Sequence, residues 1–298
     1  MTRRLLAVHA HPDDESSKGA ATYAYYRSLG VDVTVVSCTG GERGDIQNEA
    51  LVEKAMADRD MAGLRRIEME KARAAMGIDH VWLGYLDSGL PENDEPVPAN
   101  SFATIPLEIS AAPLVAIIRR LRPHVVHTYD ETGGYPHPDH IRTHEVAMFA
   151  IDAAADAERY PEAGAAWTVS KVYFDRIFNA PRITAMHDRL VELEPDSERT
   201  AQLAEFLERV NERPADATTQ VPCGDFFETR DDALRAHASQ VAPDSRFFFW
   251  PNDLQREVWP FEDYLLAAST VESPVPETDF FAGIDTADAD DALVGGTR

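Results

Sequence analysis

Leu5-Leu6-Ala7-Val8-His9-Ala10-His11-Pro12-Asp13-Asp14-Glu15 is the stretch on which the reading of the chain turns. Its first five residues form a short apolar run of β type, and a turn without glycine follows. A dinucleotide-binding protein places Gly-x-Gly-x-x-Gly after its first strand, so that backbone amides can reach a pyrophosphate. Here the same turn carries an imidazole and three carboxylates. A negative turn repels a pyrophosphate and suits a cation, so an NAD reading fails at its defining position.

Working outward, short apolar runs alternate with longer helical patterns. A helix is expected over 17–29, a strand rich in branched residues over 31–39, and a long Ala-, Glu-, Arg- and Met-rich helix over 49–76. A short strand at 80–83, a helix over 113–121, a strand over 124–129, a helix over 140–155 and a strand-like run over 171–178 complete the first half. Strands and helices at this spacing imply βαβ units with right-handed crossovers and a parallel sheet. The second half is less regular, with helices expected over 183–193, 197–210 and 227–240. Phe247-Phe248-Phe249-Trp250-Pro251 reads as a packed loop or edge strand, and the chain from Ser273 onward as an acidic, loosely packed end. The expected fold is α/β, a Rossmann-like three-layer sandwich with a mostly parallel sheet and an added C-terminal helical or irregular region. Residues 1–180 would be the catalytic core with the cation site. Residues 181–270 would be an elaboration completing the same domain and the substrate pocket, and 271–298 an acidic tail.

Composition narrows the partners. The 298 residues carry 52 acidic and 28 basic side chains, a formal charge of −24. Such a surface repels phosphate backbones and anionic lipid, so neither nucleic acid nor membrane is expected as a partner. Hydrophobic residues make up 44%, enough for a sizeable core. The two cysteines, Cys38 and Cys223, form no Cys-x-x-Cys pair and argue against a disulfide framework or a thiolate metal site. The apolar run after Arg4 is short for a signal peptide, and no long uncharged stretch suits a membrane span. The expectation is a soluble, cytoplasmic protein, with self-association into a homo-oligomer left open.

A second loop repeats the chemistry of the first. Gly133-Gly134-Tyr135-Pro136-His137-Pro138-Asp139-His140 directly follows the strand ending near Tyr129. Open parallel sheets bind ligands beyond the carboxyl ends of their strands. Two such ends, each bearing His and Asp, supply the N and O donors of a catalytic zinc site, which takes three protein ligands and keeps a place for water. A neighbouring carboxylate can serve as general base. A binding module without catalysis would need the ligands but no base.

Together these two motifs resemble the signature of the PIG-L/LmbE-like zinc N-deacetylase and amidase family. The likeness continues through Ser16-Ser17-Lys18-Gly19-Ala20, Thr39-Gly40-Gly41-Glu42-Arg43-Gly44, Leu86-Asp87-Ser88-Gly89-Leu90-Pro91, Val221-Pro222-Cys223, His237 and Glu257-Val258-Trp259-Pro260. It thus covers most of the chain to about residue 268 and leaves out the acidic end. The resemblance implies one zinc per subunit held by His11, Asp14 and His140, with iron(II) able to occupy the same donors. It implies Asp13 as the base, His137 as the group that stabilises the tetrahedral species or protonates the leaving amine, and Asp139 as the partner that orients His137 and favours its charged form. Tyr135 would help polarise the scissile carbonyl. Lys18, Glu42, Arg65 and Asp87 would contact substrate, with Arg65 weighed against a solvated helix face and against its neighbour Arg66. The implied substrate is a small sugar–thiol conjugate, cleaved at the amide joining glucosaminyl-inositol to an acylated cysteine. The alternative is removal of acetate from N-acetylglucosaminyl-inositol. His9, His127 and His237 read as structural histidines, His237 with a place at the site rim left open.

Overall fold

Alternation along β1 (Arg4–His9) sends Leu5 and Ala7 into one core layer and Leu6 and Val8 into the other, all of them buried. A run apolar on both faces belongs at the centre of a parallel sheet, and there β1 lies, between β2 (Asp32–Thr39) and β4 (Val125–Thr128). The computed structural model describes residues 2–91, 95–210, 215–248 and 251–285. The other strands are β3 (Asp79–Tyr85), β5 (Lys171–Asp175), β6 (Thr219–Val221) and β7 (Glu262–Ser269). The helices are α1 (Asp14–Ser17), α2 (Ala20–Ser28), α3 (Lys54–Ala57), α4 (Met61–Met76), α5 (Leu107–Leu121), α6 (Pro138–Ala155), α7 (Ala180–Leu193), α8 (Glu198–Val210), α9 (Phe227–Ala236) and α10 (Asn252–Val258).

The seven strands form one sheet in the order β3-β2-β1-β4-β5-β7-β6. The first five run parallel; β7 is antiparallel to β5 and β6 antiparallel to β7. Helices α2, α4 and α9 pack on one face and α5 and α6 on the other, which gives the expected three layers. A satellite core of Ile183, Met186, Leu190, Leu203 and Leu254 joins α7, α8 and α10. Chain order reverses between β1 and β4, so the loops after these two strands part and leave a crevice.

Several expected elements come out differently. The helix over 49–76 is two, because the Asp60 side chain accepts from Gly63 N at 2.8 Å and starts α4 anew. The helix over 17–29 breaks at Lys18 and Gly19, and the one over 227–240 ends at Ala236. Strands β6 and β7 were not anticipated. Arg246–Phe248 is a turn of 3₁₀ helix, while 249 and 250 lie outside the described residues. The largest correction concerns the stretch from 271. Phe280 stacks on Tyr173 at 4.1 Å and on Tyr26 at 5.4 Å, and Lys171 pairs with Glu277 at 2.8 Å with both side chains buried. Glu277, Phe280, Phe281 and Ile284 are thus buried parts of the core; residues 286–298 lie outside the described residues. Among the described residues no helix is long and apolar enough to cross a membrane.

Candidate metal and active site

The turns after β1 and β4 face each other across the crevice. In the first, His11 N donates to Asp14 Oδ2 at 3.0 Å, which folds the turn back on itself as α1 begins. Asp13 adopts φ 111°, ψ −28°, a strained conformation for a residue with a Cβ. In the second, Pro138 opens α6 and His137 caps it, its Nδ1 accepting from Asp139 N at 3.1 Å. One turn of helix then carries His140 into the crevice.

His11, Asp14 and His140 are all buried, and their donor atoms lie within 4.8 Å of one another. Asp14 Oδ2 sits 3.3 Å from His140 Nε2 and 3.5 Å from His11 Nδ1. His140 Nδ1 donates to Gly133 O at 3.0 Å, which leaves the lone pair on Nε2. That Nε2 is buried and has no hydrogen-bond partner, an orphan that a cation would satisfy. Burial opposes charge on His11, yet the carboxylates of Asp139, Asp14 and Asp87 outweigh it and raise its affinity for a proton. The donor set and its field both fit a divalent cation. His11, His137 and Asp139 form a second close trio. There, however, the Asp139 carboxylate is already taken by Ser88 N at 2.8 Å and by Ser88 Oγ.

Behind the trio runs a buried chain of hydrogen bonds. Tyr129 stacks on His140 at 4.5 Å, and its hydroxyl accepts from Ala10 N and meets His9 Nδ1 at 3.2 Å. His9 Nε2 reaches Tyr23 Oη at 2.8 Å, and Tyr23 Oη reaches His127 Nδ1 at 2.7 Å. Burial holds His9 down to about 4 and pushes His127 well below its ordinary value, so both are neutral.

On the solvent side, Asp13 is clamped from two directions. Arg65, only 3% exposed, gives Nη2 to Asp13 Oδ2 at 2.7 Å and to Pro12 O, and Nη1 to Gly41 O at 2.7 Å. The solvated-face reading therefore falls to Arg66, which is exposed with its guanidinium over Trp82. Asp13 N donates to Glu15 Oε2 at 2.9 Å, and His237 Nε2 binds Glu15 Oε1 at 2.8 Å. Burial alone would raise the Glu15 carboxyl; His237 instead brings it down to about 2. Two further bonds of 2.7 Å hold Ser239 to Glu68 and fix the loop after α9 beside this turn. Burial outweighs the Arg65 guanidinium and keeps the Asp13 carboxyl above the usual range.

The remaining candidates are placed as follows. A cavity of about 300 Å³ beside the trio is lined by Arg43, Arg65, Asp87, Tyr135, His137 and Gln240 among others. Asp87 accepts from Arg43 N at 3.0 Å and Gly89 N at 2.7 Å. Glu42 accepts from Asp87 N at 2.8 Å and so braces the loop. The Lys18 ammonium lies 2.6 Å from Asp14 Oδ1. Tyr135 is 42% exposed, with its ring against His140. The expected pairing of the Asp139 carboxylate with His137 does not form. Because Pro138 starts the helix, His137 turns to the Asp139 backbone amide, and the carboxylate faces Ser88 and His11. Burial, with the His11 and His140 imidazoles, lowers His137 to about 3, so it is neutral rather than protonated. The jobs of Glu15, Tyr129 and Ser88 went unseen in the sequence, although Glu15 and Ser88 stood within quoted motifs; His237, whose place at the rim was left open, holds Glu15.

The family described as "PIG-L: GlcNAc-PI de-N-acetylase" matches residues 6–151. A mycothiol S-conjugate amidase of Streptomyces coelicolor is 51% identical over 288 residues, covering 94% of this chain and 97% of the relative. A 1D-myo-inositol 2-acetamido-2-deoxy-alpha-D-glucopyranoside deacetylase of Catenulispora acidiphila is 38% identical, covering 96% of this chain and 91% of the relative. Among solved structures, an N,N'-diacetylchitobiose deacetylase from Pyrococcus horikoshii shares the fold with a TM-score of 0.55 at 19% identity, over 86% of this chain and 73% of that one.

Proposed function

Since the chain belongs to the PIG-L de-N-acetylase family, we propose that it is a zinc-dependent amide hydrolase that cleaves mycothiol S-conjugates to an N-acetylcysteine S-conjugate and glucosaminyl-inositol. The observation that carries the chemistry is that Asp13 lines one cavity with His11 and Asp14, while the buried His140 Nε2, without a hydrogen bond of its own, faces Asp14 Oδ2 at 3.3 Å. The substrate is argued from the relative that is 51% identical over nearly the whole chain.

His11, Asp14 and His140 would hold the cation, zinc by the N and O character of the donors, with iron(II) fitting the same set. A cation bound there supplies a Lewis acid and lowers the pKa of water toward ~7. Asp13 takes the proton from the attacking water; Arg65 fixes the carboxylate in place, and its raised proton affinity suits a base. An amine leaves only when protonated, and Asp13, now carrying that proton, is the group to deliver it. Neutral His137, with Nδ1 occupied as an acceptor, carries its proton on Nε2 and suits donation to the developing oxyanion. Tyr135, on the loop that ends at His137, would polarise the carbonyl. Arg43 and Asp87 wall the cavity in which sugar hydroxyls would be held, and Lys18 acts through Asp14.

The second reading, the biosynthetic deacetylase, is favoured by the 38%-identical relative and uses the same chemistry. A product assay separates them. Zinc- or iron-loaded protein is given a bimane-labelled mycothiol conjugate and, separately, N-acetylglucosaminyl-inositol. Release of the labelled cysteine conjugate, abolished by a chelator, is expected; faster release of acetate overturns the amidase reading. Retention of zinc by Asp13→Ala with loss of turnover separates an enzyme from a binding module.

A further inference from the structure

An amide hydrolase that divides a two-part substrate needs room for one part on each side of the reacting carbon. The sheet provides two such sides. The polar cavity beside the trio is walled by residues after β2 and β3, such as Arg43 and Asp87, which flank β1 on one side. On the other side of the crevice lie β4 and then β5. Because β5 is parallel to β4, the chain beyond its carboxyl end, with Ile177 and Phe178, leaves at the same sheet edge as the trio.

That flank holds a larger cavity of different character. It measures about 690 Å³, within the range of small-molecule pockets, and its walls include Phe178, Leu203, Phe206 and Phe247, together with the exposed side chains of Glu198, Glu205, Arg209 and Arg246. Phe178 and Phe206 meet edge to face at 6.0 Å. A narrow cleft that shares Phe178 and Phe247 with it is bounded by Ser17. Ser17 Oγ is 3.3 Å from Lys18 Nζ, and Lys18 Nζ is 2.6 Å from Asp14 Oδ1. A polar relay of two side chains therefore joins the aromatic cavity to the cation site. Burying an apolar thioether substituent against aromatic walls is favourable, whereas burying sugar hydroxyls there without hydrogen-bond partners is costly.

We infer that the cavity bounded by Phe178, Leu203, Phe206 and Phe247 is the acyl-side subsite, which receives the apolar group carried on the cysteine sulfur of the conjugate. The inference rests on the amidase reading and adds to it the side of the fold on which conjugates are told apart. Ala201, exposed on α8, also lines the cavity, so Ala201→Trp fills it without disturbing the core, and Phe206→Ala removes one wall. The measurement is kcat/KM for the bimane conjugate and for the S-methyl conjugate of mycothiol, on the metal-loaded full chain. The ratio of the two is expected to fall about tenfold in each variant, as changes in an apolar pocket do. An unchanged ratio, with both conjugates still cleaved, overturns the subsite alone. Cleavage of neither conjugate by the parent enzyme overturns the amidase reading and the subsite with it.

Discussion

A single methyl group at position 133 tests how the cation site is held. Gly133 has φ +71°, and its carbonyl is the acceptor for His140 Nδ1. In Gly133→Ala the new Cβ falls 2.6 Å from His140 Cβ and 3.0 Å from both His140 C and Ile141 N. Real Cβ atoms are essentially never seen as close as the first of these, and the other two involve backbone that cannot swing aside. The turn must therefore separate from α6, and the carbonyl leaves the imidazole. Left-handed backbone costs a residue with a Cβ ~1–2 kcal/mol, which is paid in apo-protein stability. Loss of the hydrogen bond that fixes a ligand histidine lowers metal affinity about 10–100-fold, or ~1.4–2.7 kcal/mol. Gly134→Ala separates the two effects. Its φ of +75° carries the same backbone cost, but its Cβ would meet only Asp175 Oδ2 at 3.9 Å. Competition titration of the apo-proteins with zinc and a chromogenic chelator, beside urea denaturation, gives both quantities. Both variants are expected to lose stability, and Gly133→Ala alone to lose affinity. Equal zinc affinities for the two variants would refute the account of His140.

Asp13→Asn keeps the turn but not the base, so kcat is expected to drop ~10²–10⁴-fold with zinc content unchanged by atomic absorption; a fall in zinc content instead would place Asp13 among the ligands. Lys171→Met strands Glu277 in the core and is expected to cost ~3–5 kcal/mol by chemical denaturation, while Lys171→Met with Glu277→Leu recovers most of it. If the double variant is no better than the single, the buried pair is not the cause. Stability should also vary with pH through Glu15 and His237. Burial opposes both charges, yet their contact leaves Glu15 at about 2, below its ordinary 4.5, and His237 above its ordinary 6.5. The Glu15 contribution is present above pH 4.5 and lost as pH falls toward 2, whereas the His237 contribution is complete below 6.5 and lost as pH rises through its folded value. The gap in unfolding free energy between the parent and His237→Phe should be widest between those limits; a gap constant from pH 3 to 9 sinks the assignment.

What could be read from the chain depended on how local its cause was. Strands β1 and β2 were legible because burial on two faces favours apolar and branched runs, as in Leu5-Leu6-Ala7-Val8 and Val33-Thr34-Val35-Val36. Strand β7 opens on Glu262-Asp263 and β6 has three residues, so neither shows that signal. Asp60 looked like one more acid on a long helix because capping depends on backbone geometry, not composition. His11, Asp14 and His140 could be grouped from the sequence because His11 and Asp14 stand just after β1 and His140 in the first turn of α6, beyond the loop after β4. The bond from His237 to Glu15 spans 222 positions, and only the packing of α9 brings the two together. Asp139 was misplaced because its distance in sequence from His137 said nothing of Ser88, 51 residues away. The stretch after 271 was judged by its acids, although Phe280-Phe281-Ala282-Gly283-Ile284 held the apolar residues that pack against the sheet.

The turn at Asp13 has an evolutionary consequence. A side chain at φ 111° is conformationally costly, and its carboxyl is held among other acids where burial disfavours its charge. Glycine there would relieve the backbone cost, but it would leave the buried Arg65 guanidinium without the carboxylate it binds at 2.7 Å. On the reading of Asp13 as the base, turnover is what the strained turn serves. A descendant freed from cleaving amides could surrender the aspartate together with Arg65, while its ligands persist for another use. Position 13, more than the trio beside it, is where a lineage that has changed trades would first show the change.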